Sequence, residues 1–346
     1  MRLKEFQKYL REEKINFVFL LTPDINVTYF TQIKPTFAFL TFTPNTASFY
    51  PSSLDKFPKL GHIKIKKIVK GWDKKLSKYN YSKIGINKST ITVLFFEKLK
   101  KMFPKAKFVD VGEKLKELRA QKIPLEIKNI KKACQITDQA YSSLLEKLRK
   151  KKLKTEQEVM LELESVMHKN GALPAFSTIA ACGKNSTIPH HTTSKDKLKR
   201  GFLLLDFGAC YNNYCADMSR VIFLGKPTKQ EIEMYDLLLE SQECTIKKIK
   251  EMLKFSDLDK FCRKKLGGKS SHFIHSLGHG VGLEIHESPN VSLESKDIIR
   301  KGNVFTIEPG IYFPKKYGLR IEDTVLFDKK VQILTKSSKE LPIINI

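Results

Sequence analysis

Residues 201–223, Gly-Phe-Leu-Leu-Leu-Asp-Phe-Gly-Ala-Cys-Tyr-Asn-Asn-Tyr-Cys-Ala-Asp-Met-Ser-Arg-Val-Ile-Phe, set two acids in an otherwise apolar segment. The segment reads as two strands around a polar tip at Tyr211 to Asn213. A turn centred between Tyr211 and Asn212 predicts that Asp206 faces Asp217 directly, with β-carbons about 5 Å apart. Like charges so placed repel, and burying both costs several kcal/mol unless something positive lies between them. A divalent cation meets that need, because hard cations take carboxylate oxygens. The competing reading, with both acids in solvent, fits poorly with Leu203 to Phe207 around the first of them.

The other polar residues that could complete such a site follow in order. Six histidines (His190, His191, His272, His275, His279 and His286) fall within one stretch of the chain. His275, His279 and His286 surround Gly278, Gly280 and Gly282, which predicts a loop whose backbone approaches a ligand closely. Val304-Phe-Thr-Ile-Glu-Pro-Gly reads as a strand ending on Glu308. Leu319-Arg-Ile-Glu-Asp-Thr-Val-Leu reads as another, with Arg320 and Glu322 on one face, where the arginine can hold the carboxylate in a ligating orientation. Asp206, Asp217, Glu308 and Glu322 carry the charge that two divalent ions neutralise, and His279 adds a nitrogen ligand. Such a set suits metals about 3.5–4 Å apart, as in two-metal hydrolases.

The remainder bounds the architecture. An amphipathic helix near Leu3 to Glu13 precedes β-forming runs at Asn16 to Leu21, Phe37 to Phe42, Ala47 to Tyr50 and Ile63 to Val69. A helix near Thr92 to Met102 and a strand at Lys107 to Val111 complete a small α/β unit. From Pro124 the apolar spacing becomes helical, over Leu125 to Leu148 and Thr155 to His168, with Thr155 and Glu158 forming a capping box. The boundary is placed at about residue 120, giving domains 1–120 and 121–346.

The net charge of +26 raises the question of a nucleic-acid partner. The lysines are spread thinly and lack aromatic interleaving, so a solvated basic surface without a specific nucleic-acid partner is expected. No apolar run approaches the ~18 residues of a membrane span, and Met1-Arg-Leu-Lys-Glu has no signal-peptide pattern, so a cytoplasmic protein is expected. The cysteines show no CxxC spacing and read as reduced thiols, with Cys210 and Cys215 flanking the hairpin tip.

The ordered set Asp206, Asp217, His-Ser-Leu-Gly-His279-Gly, Thr-Ile-Glu308-Pro-Gly and Arg-Ile-Glu322-Asp resembles the creatinase/methionine aminopeptidase superfamily. Within it the chain looks like the Xaa-Pro dipeptidases and Xaa-Pro aminopeptidases. The resemblance is strongest from about Thr178 to Leu326. It implies an α+β protein, with a small N-terminal α/β domain followed by a pita-bread catalytic domain. It also implies a peptidase that hydrolyses the Xaa-Pro bond at the N-terminus of dipeptides or short peptides, working as a homodimer. The implied cofactors are two divalent ions, Mn²⁺ or Co²⁺, with Zn²⁺ and Fe²⁺ as alternatives. By position, the resemblance makes Asp206, Asp217, His279, Glu308 and Glu322 the metal ligands, with Asp217 and Glu322 bridging and Glu308 handling the proton of the water. His286 is implied to contact the substrate carbonyl, His275 to line the pocket, and His190 to lie near the scissile bond, although the doubled His190-His191 leaves that match ambiguous. Methionine aminopeptidases share the ligands but usually end in Gln-hydrophobic-Glu, whereas this chain has Arg320-Ile-Glu322. A binding module of the same fold that keeps its metal site as a relic is the alternative of a different class.

Overall fold

The computed structural model describes residues 2–345. Met1 and Ile346, the outer ends of the two expected domain ranges, lie outside the described residues. The chain divides into two compact units, Met1–Arg119 and Ala120–Ile346.

In the first unit, α1 (Arg2–Glu12) buries Phe6 and Leu10, spaced to share one helix face. A six-stranded mixed sheet follows, built from β1 (Phe17–Leu21), β2 (Ala38–Phe42), β3 (Ala47–Pro51), β4 (Lys64–Ile65), β5 (Lys83–Ile86) and β6 (Lys107–Asp110) in the order β4-β3-β2-β1-β5-β6. The expected strand at Ile63 to Val69 shrinks to two exposed residues of β4. It lies at the sheet edge with β3 as its one partner, and its lysine-rich sequence is better solvated than paired. Between the strands lie α2 (Ile25–Thr31), α3 (Trp72–Leu76), α4 (Val93–Met102) and α5 (Gly112–Ala120). The short α2 is missed by sequence pattern because it is rich in poor helix formers. Its Asn26, Val27, Thr28, Tyr29 and Thr31 are all buried, so packing rather than propensity decides it.

The second unit opens with α6 (Pro124–Arg149) and α7 (Glu156–Lys169), the latter started by the Thr155/Glu158 capping box. After β7 (Leu173–Pro174), the strands β8 (Ile179–Cys182), β9 (Gly201–Phe207) and β12 (Met218–Leu224) form a sheet in the order β20-β12-β9-β8, where β20 is Ile343–Ile344. The tip of the hairpin is β10 (Ala209–Tyr211) with β11 (Tyr214–Cys215). Then come α8 (Lys229–Lys248), α9 (Phe255–Leu266), β13 (Gly278–Gly280), β14 (Glu287–Val291), β15 (Asn303–Ile307), β16 (Gly310–Phe313), β17 (Tyr317–Arg320), β18 (Asp323–Phe327) and β19 (Val331–Ile333). A five-stranded sheet runs β14-β13-β15-β18-β19, and β16 pairs with β17 separately.

Both faces of the β9–β12 hairpin are covered, which is why its strands read as near-continuous apolar runs. Leu203, Leu205, Phe207, Met218 and Ile222 join one core with residues of α6 and α7. Phe202, Leu204, Val221 and Phe223 join a second core with residues of α8, α9, β15 and β18. By the period of two, Asp206 and Asp217 both belong to the second face.

Their register differs from the expectation. Asp206 pairs with Ser219, and Phe207 with Met218, so the two aspartates are offset rather than directly opposed. The turn centres on Asn212 and Asn213, both with positive φ (49° and 69°), one residue later than the sequence suggested. Asparagine tolerates that conformation, and a two-residue turn of this hand matches strand twist. Moving the centre by one residue shifts each partner by two, which keeps every side chain on its face.

Candidate metal centre

The hairpin, β13, the end of β15 and the start of β18 meet at a cavity of about 770 Å³. All eight residues singled out from sequence, Asp206, Asp217, His279, Glu308, Glu322, His190, His275 and His286, line it. One ligand-capable atom each of Asp217, His279 and Glu322 lie within 4.8 Å of one another. Nε2 of His279 is 3.2 Å from Oε1 of Glu308 and 3.5 Å from Oδ2 of Asp217.

Each candidate ligand is held from behind. Nδ1–H of His279 donates to Gly280 O (3.2 Å), which leaves Nε2 as the nitrogen available to a metal. Thr306 and Thr324 face each other across β15 and β18. The Thr306 hydroxyl accepts from the N–H of His279 (3.0 Å) and donates to Oε1 of Glu308 (3.0 Å). The Thr324 hydroxyl donates to Asp217 O (2.7 Å) and accepts from its N–H (3.2 Å). Ser219 donates to Oε2 of Glu322 (2.8 Å) and accepts from Nε of Arg320 (2.8 Å).

Arg320 and Glu322 do not share one strand. The chain leaves β17 at Arg320 and enters β18 at Asp323, each strand in a different sheet, and the step between them turns the two side chains onto Ser219. Arg320 therefore steadies Glu322 through that hydroxyl, while its own direct ion pair is with Oδ2 of Asp206 (2.6 Å). It also donates to Tyr312 Oη (2.8 Å) and Pro189 O (3.5 Å), so most of its donors are already committed.

The glycine segment likewise differs from the expected loop. Residues 278–280 are a strand between β14 and β15 in the five-stranded sheet, and the close approach is by neighbouring backbone. A β-carbon at Gly278 would lie 2.2 Å from Thr306 O, and one at Gly280 2.4 Å from Ser288 O.

Whether these residues fit a cation can be tested on their unused atoms. Oδ1 of Asp206, Oδ1 of Asp217 and Oε1 of Glu322 are buried without a hydrogen-bond partner. Buried carboxylate oxygens are ordinarily satisfied, so three orphans on residues that line one cavity with His279 mark a place for a cation. The electrostatics agree. Burial, and then Glu322, Asp206 and Glu308, push the Asp217 carboxyl well above its usual range. Burial, and then Glu308 and Asp206, do the same to Glu322. Burial would also raise Glu308, but the hydrogen bond and charge of His279 outweigh it and hold that carboxyl down to about 2. The donor set fits hard or borderline divalent ions.

The histidines divide by role. His279 and His286 lie ring to ring, with centroids 4.2 Å apart and planes at 81°. Burial, then His279, lowers the His286 pKa and keeps the ring neutral near pH 7. His275 hydrogen-bonds Ser276 O through Nδ1 (2.8 Å) and Tyr312 Oη through Nε2 (3.0 Å), linking it to Arg320. Both His190 and His191 line the cavity; His191 is tied to Glu156 (3.0 Å), whereas His190 is exposed. Tyr312, Ser219, Thr306 and Thr324 were not singled out from sequence. The threonines and serine each stand two residues from an acid in an apolar strand, and that spacing was the available signal.

Residues 128–329 match the model of metallopeptidase family M24, and residues 2–121 match the Creatinase/Prolidase N-terminal domain. An Xaa-Pro dipeptidase of Pyrococcus furiosus is 37% identical over 98% of this chain and 99% of its own. The solved structure of an Xaa-Pro dipeptidase from Bacillus anthracis is 30% identical, with a TM-score of 0.91 over 99% of both chains. That of an X-Pro aminopeptidase from Thermotoga maritima is 30% identical, with a TM-score of 0.87 over 97% of this chain and 100% of its own.

Proposed function

The chain belongs to metallopeptidase family M24, and from that premise we propose that it hydrolyses the bond between an N-terminal residue and a following proline, with dipeptides among its substrates. The observation that carries the reading is the set of three orphaned carboxylate oxygens on residues that line, with His279, a cavity large enough for a short peptide.

Asp206, Asp217, His279, Glu308 and Glu322 would hold two divalent ions, for which we propose Mn²⁺ or Co²⁺. Bound there, the ions supply a nucleophilic water at neutral pH and a Lewis acid for the peptide carbonyl. Glu308, ionised and oriented by Thr306, takes the proton of the attacking water and passes it to the leaving imino nitrogen of proline. His286, held neutral, donates to the carbonyl oxygen as negative charge develops on it. Met160, Phe176, Ile179, Pro189 and Ile285 give the cavity apolar walls, against which a pyrrolidine ring packs without needing a partner for an N–H.

Turnover of Leu-Pro, Leu-Ala and Leu-Pro-Ala at equal metal loading tests the reading. Leu-Pro is expected to be cut fastest, with discrimination against Leu-Ala of about 1–3 kcal/mol per mismatched contact. A preference for Leu-Ala would overturn the proline assignment, and cleavage of Leu-Pro-Ala alone would move the chain to the aminopeptidase side. A cytoplasmic homodimer completes the proposal. Among the described residues no helix is long and apolar enough to cross a membrane.

A further inference from the structure

Glu156 opens α7 immediately after the Thr155 cap and is fully buried, at 0% exposure. Burying a carboxylate is costly unless donors surround it. Five donors do so, all from one stretch of chain. They are the N–H groups of Cys182 (2.7 Å) and Ser194 (3.3 Å), Nδ2 of Asn185 (2.9 Å), Oγ of Ser194 (3.0 Å) and Nε2 of His191 (3.0 Å). The helix N-terminus adds a favourable dipole for the negative charge.

The stretch so held, residues 182–194, has one short 3₁₀ turn at Gly183–Thr187 and no strand after it, so regular pairing does not fix its path. Its other side leans on β17. The N–H of Gly318 donates to Ser186 Oγ (2.8 Å), and a β-carbon at Gly318 would sit 2.0 Å from Ser186 O. Between these anchors, Pro189, His190, Thr192 and Thr193 form one wall of the metal-site cavity.

We infer that Glu156 is a positioning residue for the peptidase reaction: its five hydrogen bonds fix residues 182–194 so that His190 is presented to the substrate. The inference rests on the assignment of His190 to the substrate side of the site. Glu156 itself touches neither substrate nor metal, and it acts through the loop.

A double-mutant cycle between positions 156 and 190 tests this, with metal content and unfolding temperature measured on every protein. Glu156→Gln keeps the shape but turns an amide NH₂ towards N–H and O–H donors. It is expected to lower kcat about tenfold at unchanged metal content, and to cause no further loss in a His190→Ala background, because residues that act as a unit couple rather than add. Asn185→Ala removes one donor while leaving the carboxylate in place, and serves if Glu156→Gln fails to fold. Its smaller loss should also vanish without His190. Losses that multiply between the two positions would overturn the inference while leaving the role of His190 intact, as would loss of bound metal in Glu156→Gln. A His190→Ala enzyme with full activity would remove the assignment of His190 and the inference with it.

Discussion

Each proposed metal ligand in this site is oriented by a group that grips its far side. His279 is aimed by Gly280 O, Glu308 by Thr306, Asp217 by Thr324 and Glu322 by Ser219. Substitutions should therefore separate loading from chemistry. Asp217→Asn removes a carboxylate proposed to touch both ions, and is expected to lower metal content measured by elemental analysis. His286→Ala should keep its metals and lose about a hundredfold in kcat, the size of one missing oxyanion donor. An unloaded His286→Ala protein would contradict the division of roles. The cavity-lining carboxylates and histidines were legible from sequence, because such groups in apolar strands need a reason to be there. Tyr312 and Glu156 were not, since a buried tyrosine and a helix-opening glutamate are ordinary in any fold.

At the scale of elements, the hairpin shows how local chemistry sets register. Asn212 and Asn213 accept left-handed backbone, and the strands pair accordingly, with Ser219 opposite Asp206. That pairing brings the serine hydroxyl between Arg320 and Glu322. A second case is α8, capped by Thr228, whose hydroxyl accepts from the N–H of Glu231 (3.2 Å). Arg200 pairs with Glu231 in return (3.0 Å through Nη1). Burial alone would raise the Glu231 carboxyl, but Arg200 and the Thr228 N–H bring it below its ordinary value. A carboxyl lowered on folding contributes stability that is present above the unfolded value near 4.3 and is lost as pH falls through the folded one. Glu231→Gln should therefore lower the urea midpoint at about pH 7, with a deficit that shrinks as pH falls below the unfolded value. A deficit that does not change with pH would assign the effect to packing.

For the whole molecule, metal held by the four site carboxylates should act as a stability element as well as a cofactor. Chelation is expected to abolish turnover and to lower the unfolding temperature. A ligand at a hundred times its dissociation constant adds about 2.7 kcal/mol to the folded state. Full activity in a thoroughly metal-free sample would defeat the two-metal reading. What the sequence by itself determined is the inventory: amphipathic helices with their caps, apolar strands, and five acids and imidazoles with no apolar reason for their positions. These follow from side-chain chemistry and short-range periodicity, which are written locally along the chain. Tertiary structure alone decided which backbone the glycines admit, that Arg320 reaches Glu322 through Ser219, and that Glu156 holds the loop carrying His190. Most of those relations join residues tens to more than a hundred positions apart. No periodicity encodes such contacts, because packing two sheets and several helices around one cavity creates them.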